Sequence, residues 1–244
     1  MRISILTLFP EMFNGPFSAS IIHRAITAKK ITIDFINIRD FAIDTHKSVD
    51  DHPYGGGAGM VLRVDIIDKA LSKVKSSFDS VYTEHSRSAQ DRKTGKKKER
   101  IILLDPGGKQ YTQAKARQCA KLEHLILICG HYEGIDERVR SLVDESLSIG
   151  PYVLTGGEIP AMVITDSVVR LLSGVLKKPE ATIMESFSKY IIHSNTKRPY
   201  REYPQYTRPE KYNGKHVPSV LLSGDHKKIT EWQEKQALRR SRKR

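Results

Sequence analysis

Three glycine-containing segments carry the residue types of a ligand-binding crevice. Leu104-Asp105-Pro106-Gly107-Gly108 follows one apolar run, and Gly130-His131-Tyr132-Glu133-Gly134 follows the next. Ile149-Gly150-Pro151-Tyr152-Val153-Leu154-Thr155-Gly156-Gly157-Glu158 closes a third predicted strand. Glycine lets backbone N–H and C=O groups approach a ligand closely, and Tyr132, Tyr152 and Leu154 are suited to flanking a flat ring. Taken singly, each segment is ordinary turn chemistry. Repeated at three successive predicted strand ends, they point to a nucleotide-like ligand such as an adenine read by backbone groups. Neither the GxGxxG nor the GxxxxGK[ST] pattern occurs, which removes support for dinucleotide and P-loop sites. A fourth cluster, Asp50-Asp51-His52-Pro53-Tyr54-Gly55-Gly56-Gly57-Ala58-Gly59-Met60, concentrates backbone freedom that a simple connector seldom needs. It reads as a lid or base-recognition surface, with Asp50, Asp51 and Tyr54 as polar and stacking groups. The alternative is a flexible loop.

The surrounding pattern supplies a frame. Arg2–Phe9 and Ile31–Ile38 are β-branched runs, and Ser18–Lys30 between them has helical spacing at Ile21, Ile22, Ala25 and Ile26. The alternation continues with a helix near Val64–Ser76, strands near Ser80–Tyr82 and Arg100–Leu104, and a helix over Thr112–Leu122. A strand at His124–Cys129, a short helix around Ile135–Leu142, a strand at Glu145–Ile149 and a helix over Ile159–Leu172 follow. Pro160 suits the first turn of that last helix, and Gly174 ends it. Strands alternating with helices predict an α/β fold, a mostly parallel sheet with helices on both faces. Glu84–Glu99 is nearly devoid of apolar residues and reads as a mobile loop. Pro179, Pro199, Pro204 and Pro209 break the segment from Lys177 to Tyr212, which reads as an interdomain linker. A small helix follows at His226–Leu238.

Composition narrows the partner. The 244 residues hold 41 Lys+Arg against 28 Asp+Glu, a net charge of +13, which favours a polyanion. Two runs concentrate that charge, Arg92–Arg100 and Arg239–Arg244. No apolar run is long enough to span a bilayer, and the N-terminus reads as a first strand rather than a signal peptide. Cys119 and Cys129 make neither a disulfide framework nor a zinc site, so a reducing, cytoplasmic setting without a metal is expected.

Seven motifs in order, LFPEMF at 8–13, VDDHPYGGGAGM at 49–60, CGHYEGIDERV at 129–139, SIGPYVLTGGEIPAM at 148–162, DSVVR at 166–170, YTRPE at 206–210 and VPSVLLSGDH at 217–226, resemble the bacterial tRNA (guanine-N1)-methyltransferases. The resemblance runs from about Met1 to Leu238. It implies the SPOUT class, whose sheet carries a deep C-terminal trefoil knot, an exception to the rule that chains do not knot. It also implies a homodimer with the active site at its interface, S-adenosylmethionine as cofactor, and methyl transfer to N1 of the guanosine at position 37 of tRNA, 3′ of the anticodon. The implied domains are a catalytic domain at 1–174, a linker at 175–212 and a small, shortened helical tRNA-binding domain at 213–244.

Residue by residue, the family's cofactor site maps onto Asp105, Pro106 and Gly108, then Gly130, Tyr132, Glu133 and Gly134. It continues with Ile149, Gly150, Pro151, Tyr152, Val153, Leu154, Gly156, Gly157 and Pro160. Substrate contacts are expected from Asp50, Tyr54, Gly57 and Gly59. The family's general base, an Asp, maps onto Glu185, and its charge-stabilising Arg onto Arg170. His131 and Pro151 stand where the family often has Arg and Asp. A non-catalytic RNA-binding protein on the same fold is the second class of reading; retention of all three cofactor segments favours the enzyme.

Overall fold

The computed structural model describes residues 1–85, 98–183, 185–188 and 200–242. Most of the expected basic loop at Glu84–Glu99 lies outside these residues. The chain divides into two compact units, Met1–Leu176 and Lys177–Arg244.

The first unit opens with β1 (Arg2–Thr7), a 3-10 turn, the short α1 (Asn14–Phe17), α2 (Ser20–Thr27) and β2 (Thr32–Asn37). Next come the two-residue strands β3 (Asp50–Asp51) and β4 (Val61–Leu62), then α3 (Val64–His85) and β5 (Glu99–Gln110). The unit continues through α4 (Gln113–Cys119), β6 (His124–Cys129), a 3-10 helix (Glu137–Leu142), β7 (Glu145–Ser148) and α5 (Glu158–Val169). The main sheet runs β2-β1-β6-β5-β7, every neighbouring pair parallel.

β6 (HLILIC) is buried along its whole length, the continuous apolar run of a parallel strand covered on both faces. Its residues alternate between two cores, as the two-residue period of a strand requires. Leu125, Leu127 and Cys129 join Ile3 and Ile5 of β1 under α2, α4 and α5. Ile126 and Ile128 join Leu6 of β1 under α3, through Ile66, Ile67, Ala70 and Leu71. The expected parallel sheet with helices on both faces is therefore present.

Two expectations are corrected. Ser80–Tyr82 is not a strand but part of α3, which runs on to His85. In the sequence, Val74, Phe78, Val81 and Tyr82 keep the spacing begun at Ile66, so helical period outweighs local β propensity. The strand expected at Arg100–Leu104 extends to Gln110, with its glycine segment inside it as a bulge.

The second unit holds a 3-10 turn at Pro179–Thr182, β8 (Lys211–Tyr212), β9 (Lys215–His216), α6 (Ser219–Leu222) and α7 (His226–Arg242). The segment from Lys177 to Tyr212 is thus not free of regular structure. Asn213 and Gly214 both have positive φ, the conformation that a tight hairpin between β8 and β9 needs.

A polar clamp joins the amino ends of the three central strands. His124 of β6 is fully buried, with Nε2 at 2.8 Å from Ser4 Oγ of β1 and Nδ1 at 2.8 Å from Glu99 Oε2 of β5. Burial pushes the His124 imidazole below the ordinary histidine range, against the pull of Glu99. An unfolded histidine takes up its proton near pH ~6.5, before the folded one does. The clamp's contribution is therefore complete above that pH and is lost as pH falls from there through the lower folded value. Melting curves between pH 7.5 and 5.0 should show the wild type losing stability faster than His124→Gln. At pH 7.5 the variant should be about 1–3 kcal/mol less stable, from the disturbed partners of Ser4 and Glu99.

Candidate functional site

The carboxyl ends of β5, β6 and β7 enclose a cavity of about 350 Å³, the position at which open parallel sheets bind ligands. The first wall is the bulge in β5. Leu104 and Lys109 both face Leu147 of β7, so residues 105–108 loop out of the ladder. Asp105 Oδ1 accepts a hydrogen bond from the Gly107 N–H at 2.7 Å, closing a local turn. Gly108 lies so close to β7 that a Cβ would stand 2.6 Å from the Leu147 nitrogen.

The second wall follows β6. Tyr132 holds a left-handed φ of 59°, uncommon outside glycine, and the Gly134 N–H donates to the His131 carbonyl at 3.2 Å. This turn is tied to the glycine-rich hairpin. Glu133 N–H donates to the Met60 carbonyl at 3.1 Å, Leu62 N–H to Gly134 at 3.0 Å, and Asp136 N–H to Leu62 at 3.0 Å. β3 and β4 pair antiparallel, so Pro53–Gly59 forms the hairpin's tip, where Tyr54 is fully exposed and Gly55, Gly56, Gly57 and Gly59 have positive φ. Gly59 packs against the Glu133 side chain.

The third wall runs from Ile149 into α5. Gly157 N–H donates to the Gly130 carbonyl at 2.8 Å, and a Cβ on Gly157 would stand 2.6 Å from Cys129 Cα. Glu158, buried in the first turn of α5, accepts the Thr7 hydroxyl's hydrogen bond at 2.7 Å, while Thr7 Oγ1 accepts from the Phe9 N–H at 2.9 Å. His131, 4.9 Å from Phe9 between ring centres, carries a buried Nδ1 without a hydrogen-bond partner.

The site offers backbone amides, carbonyls, aromatic rings and carboxylates rather than a nucleophile. Cys129 at its edge is fully buried, and desolvation together with the Glu158 charge pushes its thiol well above the ordinary range, so it stays protonated. Among the described residues no group of three or more His, Cys, Asp or Glu is placed to hold a metal ion.

The cavity brings together every expected cofactor residue except Gly108 and Pro151. Gly108 is occupied with the backbone of β7, and Pro151 is exposed outside the lining. Leu103, Leu104, Ser148 and His131 also line it, beyond the expected set. Spacing cannot single out which buried strand residues border a crevice, whereas His131, flanked by expected residues, was within reach of motif reasoning. Asp50, Tyr54, Gly57 and Gly59 lie on the hairpin rather than in the cavity wall. Arg170 caps α5 half-buried, its N–H donating to the Asp166 carbonyl at 3.2 Å. Glu185 belongs to the second unit, where it is buried and its carbonyl accepts from the Ser188 N–H at 3.0 Å.

A sequence family described as "tRNA (Guanine-1)-methyltransferase TrmD" matches residues 1–244. Among curated proteins, the tRNA (guanine-N(1)-)-methyltransferase of Shouchella clausii is 49% identical over 241 residues, covering 99% of this chain and 88% of that protein. That of Carboxydothermus hydrogenoformans is 50% identical over 241 residues, 98% of this chain and 83% of the relative. That of Geobacillus kaustophilus is 50% identical over 242 residues, 99% and 88% respectively.

The contrast between neighbouring glycines gives a direct check on the first wall. At Gly107 an added Cβ meets only Asp105 Oδ1, at 3.3 Å, whereas at Gly108 it collides with the backbone of Ser146 and Leu147. Gly108→Ala should lower the melting temperature by an amount corresponding to about 1–3 kcal/mol of overpacking, and Gly107→Ala by far less. Equal melting temperatures for the two variants would contradict the bulge geometry.

Proposed function

The chain belongs to the tRNA (guanine-1)-methyltransferase family, and from that membership we propose that it transfers a methyl group from S-adenosylmethionine to N1 of the guanosine at position 37 of tRNA, 3′ of the anticodon. The observation that carries the reading is the convergence of three glycine segments on one cavity at adjacent strand ends. Its volume of about 350 Å³ falls within the ~300–1,000 Å³ of small-molecule sites. The fit to S-adenosylmethionine is chemical as well as spatial. Glycine backbone at Gly130, Gly150 and Gly156 suits the edge of an adenine, Leu154 and Tyr152 suit its faces, and Asp105 and Glu133 suit polar groups of the ribose and amino acid. When bound, the donor supplies an electrophilic methyl on a sulfonium.

The rest falls to the chain's own side chains. Guanine N1 carries a proton and becomes nucleophilic only as that proton leaves. In this reading Glu185 accepts the proton and Arg170 stabilises the negative charge that grows on O6. Glu185 has one methylene more than the aspartate of the family pattern, so its carboxylate reaches N1 by a longer arm. Asp50, Tyr54, Gly57 and Gly59 receive the base on the hairpin, and its hydrogen bonds to the second wall link base and donor.

A trefoil knot around the cavity and a homodimer with a shared active site complete the reading. The first follows from the family membership, with which the parallel order β2-β1-β6-β5-β7 is compatible, and exposed Val153, Ile159 and Val163 beside the cavity and on α5 support the second. The second unit, with its helix α7, is assigned to tRNA binding, in keeping with the net charge of +13. No helix among the described residues is long and apolar enough to cross a membrane, and we place the enzyme in the cytoplasm with its tRNA.

Incubating the protein with S-adenosylmethionine and a tRNA transcript bearing G 3′ of the anticodon should yield 1-methylguanosine in nucleoside mass spectra, and a transcript with A there should yield none. Arg170→Ala and Glu185→Gln should each reduce turnover about 10²–10³-fold. Binding of S-adenosylmethionine with no methylation of any such transcript would sink the enzymatic reading.

A further inference from the structure

Arg140 does not line the cavity, yet its guanidinium joins elements that do. It sits in the 3-10 helix that follows the second wall. One amino nitrogen donates to Asp105 Oδ2 in the bulge, the other to Ser146 Oγ of β7 at 2.9 Å, and Nε lies 2.7 Å from Glu137 Oε1. The opposite oxygen of Asp105 already accepts the Gly107 N–H. Both ends of that carboxylate are therefore engaged, one within the loop and one to the arginine.

The bulge has few other restraints. Residues 105–108 have left the ladder, since Leu104 and Lys109 share one partner, so nothing in the sheet register fixes the loop's position. The Gly108 contact with β7 fixes its far end, and Arg140 fixes its near end at Asp105. Arg140's side chain is 39% exposed, and ion pairs at that exposure contribute little to global stability. What a planar guanidinium with several donors supplies instead is a fixed geometry for the groups that it bridges.

We infer that Arg140 is a positioning residue for the methyl donor: it acts through Asp105 to hold the first wall in its binding shape. The inference rests on the reading that this cavity takes S-adenosylmethionine. Calorimetric titration of S-adenosylmethionine into the full-length wild type and into Arg140→Ala separates the two. Arg140→Ala should weaken affinity about tenfold, the scale of a charge-assisted hydrogen bond. KM for the donor should rise by a similar factor, while kcat at saturating donor and the melting temperature stay near the wild-type values. Arg140→Lys should recover part of the affinity, and adding Arg140→Ala to Asp105→Asn should weaken binding no further than Asp105→Asn alone.

Wild-type affinity in Arg140→Ala would overturn the inference and leave the proposed function standing. A fall in kcat and melting temperature without a change in KM would also overturn it, by marking Arg140 as a general structural residue. If the wild type itself fails to bind S-adenosylmethionine, it is the proposed function that falls.

Discussion

The hydrogen bond from the Gly157 N–H to the Gly130 carbonyl sets the start of α5 directly against the end of β6, and the cavity exists because of that contact. The approach is too close for any side chain at residue 157, since its Cβ would collide with the Cα of Cys129 and the nitrogen of Gly130. With α5 so placed, Ala161, Ile164 and Val168 pack into the core shared by β1 and β6. The segment from Ile149 to Gly156 must then arch over the strand ends to reach the helix. The third wall is thus a consequence of how α5 docks.

That docking carries a buried polar group with it. Glu158 enters the interior at the first turn of α5, where the helix's free N–H groups and positive dipole end favour a negative charge. Thr7 at the end of β1 supplies the hydrogen bond that a buried carboxylate requires, and the same hydroxyl accepts from the Phe9 N–H as the chain leaves the strand. One side-chain pair therefore links α5, β1 and the turn beyond it. His131 beside this pair keeps a buried nitrogen without a partner, a group that tertiary packing alone leaves unsatisfied.

These dependencies divide what sequence can convey from what it cannot. His124–Cys129 was legible to the residue because Leu125–Cys129 form the continuous apolar run that a central parallel strand requires. The three glycine segments were legible because close backbone approach admits only one residue type. The bulge in β5 was not, because Leu104 and Lys109 acquire the same partner only through pairing with a strand some forty residues away in the chain. Nor was the β3–β4 hairpin, whose two-residue strands are too short for periodicity to register. Motif order brought in Arg170 and Glu185, which without it read as one half of an ordinary i,i+4 helix pair with Asp166 and as a solvated linker charge. Arg140 shows in the sequence only its i,i+3 neighbour Glu137, since its other two partners, Asp105 and Ser146, are brought to it by the fold.

The sheet separates two demands by placing them at opposite ends of the same strands. At the amino ends, Ser4, His124 and Glu99 satisfy one another inside the fold. At the carboxyl ends the chain leaves the ladder through glycine, and backbone groups that a sheet would consume remain available around the cavity. β6 carries both ends within six residues, His124 at one and Cys129 leading into Gly130 at the other. Its unbroken apolar burial between them supplies the rigidity that lets a loop of glycines hold a defined shape. Backbone freedom at the site is usable because the strand beneath it has none.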